Sequence, residues 1–580
     1  MSRLTRLLSA ITLIALFATS FSAPVALSAH STPAHTAHLA QADIESLAAL
    51  MPADSAVFFA LRTDDGYIEL LDSILQKALD RLPQTPRFSL KQLLDRIVAP
   101  LGGNFQTTIR SWLGDNAAFA FGSLDKLLDT NPRNNLETEV LFAVQITDRA
   151  RFEALFERLA LPGGYAKNST PDFTDYTDVV QPAFLLRVTK NLLLLGTRAG
   201  VQSVQNRAAK LNTNSEFQKI IGALPADGYN ILAYFNLSSV FTQSAIELLP
   251  PTQRNLIAQG FVRFAIGATI LDGRSLVLDF VAPDSSSVLG IDLNKPTDPA
   301  FARFMPANTV FSFQIRDLKS FYEAILAALR ASLEAQGGTA LRDLERGLEQ
   351  LESTLRILLR LDLNEDILSW MTGNVALFIA YTPQEPSLLE ALRDLENQVA
   401  FVGLDFGLIV EATDPSKAAN LVAELGNALK AALRNQPDVT VTQEERRVTV
   451  ALKPRDLTTP IEIVISANDA VFYIATGAAA AHIESGEEGL SAAAGYREAA
   501  QYLLPESAQI WYMGSDAINL IGELVALQES STFSFGGREE TFKRVRRAWA
   551  DLASLISSSS ISTAIKDGFQ VTRAVLSVVE

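Results

Sequence analysis

Apolar and polar residues alternate in short runs that open on proline. Pro52-Ala53-Asp54-Ser55 leads into Val57, Phe59 and Leu61, and Pro306-Ala307-Asn308-Thr309 leads into Phe311, Phe313 and Ile315. Alternation with a period of two predicts half-buried strands, and both runs pass into amphipathic helical stretches. The pattern then repeats in order. Ser111-Trp112-Leu113-Gly114-Asp115-Asn116 precedes an apolar run from Ala117 to Phe121, and Ser369-Trp370-Met371-Thr372-Gly373-Asn374 precedes one from Val375 to Ile379. Apolar runs end at Thr147-Asp148 and at Thr413-Asp414, each ahead of a helical stretch. Both aspartates are expected N-caps, and Pro415 suits a first helical position.

Turn signals continue the parallel. Lys190-Asn191 precedes Leu192 to Leu195, and Asn468-Asp469 precedes Val471 to Ile474. Proline-led runs open again at Pro225 and Pro505, and Asp272-Gly273 and Asp567-Gly568 each sit near the end of their series. Asp-Gly between strands is a strong hairpin signal, because both turn positions need a positive φ. Collinear landmarks whose spacing grows along the chain predict a tandem duplication with insertions in the second copy. The expected organisation is a signal peptide and flexible segment at 1–42, a first repeat at 46–284, a linker at 285–297 and a second repeat at 298–580. Each repeat is expected to be α+β, a mostly antiparallel sheet with helices packed on one face.

Arg3 and Arg6 precede an apolar stretch from Leu7 to about Phe21, the charged and apolar regions of a secretory signal. Two small-residue cleavage patterns follow, Ala26-Leu27-Ser28 and Ala40-Gln41-Ala42. If neither is cut, Leu7 to Leu27 is long enough to anchor the chain in a membrane. The expected location is periplasmic, cell-surface or extracellular, with N-terminal or peripheral membrane association where the leader is kept.

Composition narrows the chemistry. The 580 residues carry a net charge of −16, which disfavours nucleic acid as a partner, since neutralising phosphates needs a basic surface. No cysteine is present, so disulfides, thiolate metal sites and cysteine nucleophiles drop out together. Of the 4 histidines, His30, His35 and His38 fall in the leader region, leaving His482 alone in the body. One histidine without cysteine is too few ligands for a transition-metal site, and no G-x-S-x-G, Walker or dinucleotide glycine pattern occurs. His482 is read as structural, and no cofactor or catalytic residue is assigned.

The Pro-Ala-Asp strand opening, the segment Ser111-Trp112-Leu113-Gly114-Asp115 and the helix start at Thr147-Asp148 together resemble an exported bacterial family, domain of unknown function 3352. The resemblance covers most of the body and implies export and an α+β fold. It supplies no catalytic residues. The second copy departs from the pattern, with Thr372-Gly373 where the first has Gly114-Asp115, which weakens a catalytic reading of Asp115.

Three further features have plainer structural explanations. Asp362, Asn364 and Asp366 alternate like the start of a calcium loop, but Ile367 stands where such a loop turns on glycine, so a helix N-terminus is the preferred reading. Leucines at 341, 344, 348, 351, 355 and 358 predict an intramolecular helix pair. Arg538, Lys543, Arg544, Arg546 and Arg547 form the basic cluster of an acidic chain and are the weak candidates for surface contact. Glu539 and Glu540 lie four residues before Lys543 and Arg544, so a solvated face with ion pairs competes with contact to an anionic surface.

The leading expectation is a non-catalytic exported interaction or scaffold protein whose partner is a protein or envelope component, with no small-molecule substrate identified. The first alternative is a carrier of lipid or another apolar ligand, suggested by 32 phenylalanines. The second is a carboxylate-dependent hydrolase, which 65 acidic residues allow without locating. Fractionating the native host and sequencing the mature N-terminus is expected to find the protein outside the cytoplasm. Full-length soluble protein in the cytoplasm would overturn that expectation.

Overall fold

The structure is a computed structural model. It describes residues 39–81, 88–122, 139–160, 164–179, 183–238, 262–271, 273–284, 293–336, 339–382, 403–453, 461–521 and 554–578, with the single positions 254, 257, 286 and 551. The strands of the N-terminal part are β1 (Leu39–Ala40), β2 (Val57–Arg62), β3 (Leu113–Phe121), β4 (Val140–Ile146), β5 (Tyr165–Ser169), β6 (Thr174–Asp178), β7 (Phe184–Val188), β8 (Leu192–Thr197), β9 (Gly228–Tyr229), β10 (Ile231–Asn236), β11 (Arg263–Leu271) and β12 (Ser275–Pro283). Those of the C-terminal part are β13 (Thr309–Arg316), β14 (Asn374–Tyr381), β15 (Leu404–Glu411), β16 (Val439–Glu444), β17 (Arg447–Leu452), β18 (Ile461–Ala467), β19 (Val471–Thr476), β20 (Gln509–Gly514), β21 (Ile556–Lys566) and β22 (Phe569–Val578).

All except β1 and β9, which pair with each other, join in one sheet of 20 strands, antiparallel throughout. From one edge the order runs β5-β6-β7-β8-β4-β3-β2-β10-β11-β12. From the other it runs β16-β17-β18-β19-β15-β14-β13-β20-β21-β22. The two series meet where β12 pairs with β22. Registers correspond as well: Arg62 lies opposite Asn116, and Arg316 opposite Asn374.

Local chemistry explains the elements. Asp148 accepts from the Arg151 N–H, and Asp414 accepts from those of Ser416 and Lys417 with Pro415 next to it, so both act at helix N-termini as expected. The β21–β22 turn holds Asp567 and Gly568 at φ of 52° and 79°, the left-handed pair that a tight hairpin needs. Helix Ala340–Thr354 packs against helix Leu318–Gln336. Asp362 accepts from the Asn364 and Glu365 N–H groups, so it caps a helical turn.

The α+β class is observed, but helices lie on both faces of the sheet. Ala143 and Leu194 belong to a core with Ile44, Val201 and Phe217, whereas the adjoining Val144 and Leu193 belong to another with Leu94, Phe152 and Phe156. Neighbouring residues of a strand point to opposite faces, so these cores lie on either side. The C-terminal series repeats this, with Ile409 packing against Ala479 and Ile483 and Val410 packing among Ala418, Leu421 and Val422. The cause is legible in Leu192 to Leu195, a strand apolar on both faces, which no single helix layer can cover.

The described ends of the segments read as leader and linker, 39–42 and 293–297, pack into the body. Leu39 is fully buried, Ala40 pairs with Gly228, and helix Gln41–Ala48 contributes Ile44 and Leu47 to the core. Leu293 and Thr297 are buried, with the Thr297 hydroxyl donating to the Ala508 carbonyl.

At the meeting of β12 and β22, fully buried Asp279 faces Arg573. The guanidinium donates to both carboxylate oxygens, at 2.7 and 2.8 Å, and Tyr229 donates its hydroxyl to the same carboxylate at 2.7 Å. Replacing Arg573 by methionine leaves Asp279 buried without its cation and is expected to lower stability by about 3–5 kcal/mol in urea unfolding. The exchanged pair, Asp279→Arg with Arg573→Asp, is expected to recover part of that loss. Equal stability of wild type and Arg573→Met would show that the pair does not hold the junction.

Candidate functional site

Trp112 anchors the segment singled out on the sequence. Its ring is buried edge-on against Phe152 with centroids 4.8 Å apart, and its indole N–H donates to the Thr108 carbonyl at 2.7 Å. The chain then enters β3 through a register shift between Leu113 and Ala117. There Gly114 runs so near β4 that a Cβ would stand 2.6–2.8 Å from Gln145, including its backbone. Only glycine fits that approach.

Arg110 fixes the turn from below. It donates to the carbonyls of Leu113 and Gly114 at 2.9 and 3.0 Å and bridges the carboxylates of Asp65 and Asp115 at 3.0 and 3.1 Å. Burial pulls its pKa down, but the two carboxylates outweigh that and hold it above its ordinary value. Thr63 completes the frame, donating its hydroxyl to the Gly114 carbonyl and its N–H to that of Asp115.

Above this frame lies a cleft of about 390 Å³. Ser46, Leu47 and Leu50 line it together with Gly114, Asp115, Gln145, Thr147 and Asn191. The cleft therefore gathers the Gly-Asp segment, the helix start at Thr147 and the turn at Asn191, three of the landmarks read from the sequence. Its chemistry is that of hydrogen bonding. The Ser46 hydroxyl is spent on the Asp43 carbonyl, no histidine is among the described residues that line the cleft, and Asp115 is held by Arg110. A nucleophile paired with a base is not among its lining residues.

The corresponding place in the C-terminal series has the same frame with different fittings. Trp370 donates its indole N–H to the Asp366 carbonyl at 2.9 Å, four residues back as in Trp112. Asp317 donates its N–H to the Gly373 carbonyl, as Thr63 does to Asp115. Here Glu411 stands where the first series has Gln145, and its carboxylate accepts from the N–H and side chain of Asn374 at 2.8 and 2.7 Å. The Asn374 side-chain oxygen accepts from the Asp298 N–H, so residues around 298 cover this position.

Of the residues proposed on the sequence, the basic cluster Arg538, Lys543, Arg544, Arg546 and Arg547 lies outside the described residues, as do the leader and His30, His35 and His38. His482 is partly buried at the end of helix Gly477–Ser485. Among the described residues no group of three or more His, Asp and Glu side chains is placed to hold a metal ion, and no helix is long and apolar enough to cross a membrane. The feature that sequence reading missed is on the second face of the central strands. Ile561, Trp511, Phe313 and Leu377 lie side by side across β21, β20, β13 and β14, with Ile561, Trp511 and Leu377 40, 37 and 49% exposed. Their alternation was visible, but which face would be left open was not.

A family model described as protein of unknown function (DUF3352) matches residues 8–500, and the chain belongs to that family. No curated protein and no solved structure matches it.

Asp317 gives this region a pH signature. Burial pushes its carboxyl up, but hydrogen bonds from Lys295 and from the Ser320 N–H and hydroxyl outweigh that and hold it below the usual aspartate range. A carboxylate depressed in the folded state stabilises the protein above its unfolded pKa, near 3.9, and that contribution fades as pH falls through the folded value. Asp317→Asn, whose side chain tolerates the left-handed φ of 65° found here, is expected to unfold with a shallower loss of stability below about pH 4 than wild type. Parallel acid limbs would refute this assignment.

Proposed function

We propose that this is an exported, non-catalytic interaction protein of the cell envelope or extracellular space, built from two tandem copies of one α+β unit and presenting the open apolar row of its sheet to a partner. The observation that carries this reading is the row in which Ile561, Trp511 and Leu377 are exposed around the buried ring of Phe313, since exposed apolar side chains grouped on one face mark a binding surface. Trp511 and Phe313 stack with centroids 4.0 Å apart, giving the row a rigid aromatic centre. The cleft beside Asp115 supports the non-catalytic side of the proposal, because its lining pairs no nucleophile with a base. Matching strand order from both edges and matching registers support the duplication.

Export rests on Arg3, Arg6 and the apolar stretch after them. Because Leu39 to Ala42 pack into the body, cleavage at Ala26-Leu27-Ser28 is the version that leaves the fold whole. The basic cluster from Arg538 to Arg547 is a proposed contact to an anionic surface.

The same row favours one second reading, a carrier of lipid or another apolar ligand. Native mass spectrometry of the exported protein with its co-purifying material separates the two. A protein partner, lost when Trp511 and Leu377 are both replaced by serine, is the expected result. Bound lipid lost in that variant would replace the scaffold reading with the carrier, and a partner retained by it would remove the row from either role.

A further inference from the structure

The two strand series can be compared position by position, and one layer of the core differs in kind. In the N-terminal series Phe58 lies between Ala120 and Tyr234, Ala60 between Ala118 and Leu232, and Ala265 between Tyr234 and Val281. Phe217, from helix Ser215–Ala223, closes this layer with its ring 5.0 Å from Tyr234. All are apolar apart from one phenol.

The corresponding positions in the C-terminal series are polar. Ser312 lies between Phe378 and Tyr512, Gln314 between Ala376 and Ile510, and Ser560 between Tyr512 and Val575. Tyr496, from helix Ala494–Ala500, takes the covering place with its ring 5.2 Å from Tyr512. One strand step along the same face, Ser558 lies opposite Gly514 and Ser577. Packing alone does not require this change, because Phe378 fills beside Ser312 the volume that Phe58 fills in the other series. Gly407 makes that possible, since a Cβ there would stand 2.2 Å from the Phe378 ring.

Among the described residues, four of these polar atoms have no hydrogen-bond partner. They are the hydroxyls of Ser312, Ser558 and Ser560 and the side-chain oxygen of Gln314, on residues no more than 3% exposed. Gln314 spends its amide N–H on the Tyr496 hydroxyl at 3.2 Å, which fixes its oxygen as an acceptor. An unmet buried hydroxyl or amide is costly, and native cores hold few of them. Four on one face of β13 and β21, the strands that flank β20, against the Tyr234 hydroxyl in the counterpart layer, call for a guest that meets them. Gly495 and Gly514 bring their backbones close to the Tyr512 hydroxyl, since a Cβ on either would stand 3.1 or 3.2 Å from it. The ion pair of Arg274 with Glu498 and the hydrogen bond from Ser557 to Glu498 lie at its margin.

We infer that the layer between β13, β20, β21 and helix Ala494–Ala500 is an internal binding site for a small, uncharged, hydroxyl-bearing guest, either ordered water or a short polyol. The site offers hydroxyls that donate or accept and one amide acceptor, and the carboxylate at its margin, Glu498, is charge-paired with Arg274, which suits neutral oxygen groups and disfavours ions.

The test is urea unfolding of the full chain with Ser312→Ala, Ser560→Ala and the double variant. Hydroxyls that bind a guest stabilise the protein, so each variant is expected to unfold at lower urea and the double variant at lower urea still. Unchanged or higher midpoints would mean dry, unmet hydroxyls and would overturn the site. Repeating the series in glycerol distinguishes the guests. A larger midpoint gain for wild type than for the double variant identifies the polyol, and equal gains identify water. A high-resolution crystal structure gives an independent readout, since direct protein contacts at all four atoms would also overturn the inference.

Discussion

The antiparallel pairing of β12 with β22 is the contact on which the architecture rests, because it turns two ten-strand series into one sheet. Its centre is the bidentate pair of Asp279 and Arg573, reinforced by Tyr229. The two residues occupy corresponding places in their series, so they face each other across the point that relates the halves. Two identical chains meeting there would set like residues against each other. A single chain can place opposite charges at that point, and burial then makes the match obligatory, since either charge alone would be strongly unfavourable.

Once the sheet is continuous, its two faces acquire different tasks. One is covered along both halves by helices packing on small and aromatic side chains, among them Ala143, Phe58, Ala376 and Tyr473. On the other, helices cover the outer strands of each half, and toward the centre the row around Trp511 stays partly open. Corresponding places in the two series differ. The cleft over Gly114 and Asp115 is open where its counterpart is occupied by Glu411 and the chain near Asp298, and the core layer beside Phe58 is apolar where its counterpart carries serines. Any function that the halves do not share resides in these differences.

Legibility in the sequence followed the range of the interactions. Strands, caps and hairpins are short-range, so Asp148, Asp414, Pro415 and Asp567-Gly568 announced their elements without help from the rest of the chain. Trp112 and Trp370 could be matched because a buried indole bonded to a carbonyl four residues back tolerates little substitution nearby. The cleft was half legible: its glycine and aspartate stood out, but Ser46, Leu47 and Leu50 carry no signal that they line it. Arg110 joining Asp65 to Asp115 was invisible, since salt-bridge partners at these separations leave no periodic trace.

By itself, then, the sequence determined the α+β elements, the matching order of landmarks in two halves and the absence of thiol chemistry, all of which follow from local pattern and composition. Tertiary structure alone decided that the halves share one sheet, that helices cover both its faces, which apolar row stays open and which buried hydroxyls lack partners. Those outcomes depend on register and on which face of each strand meets a neighbour. A period of two fixes that two faces exist, but only the packing of distant strands assigns one to the core and the other to solvent.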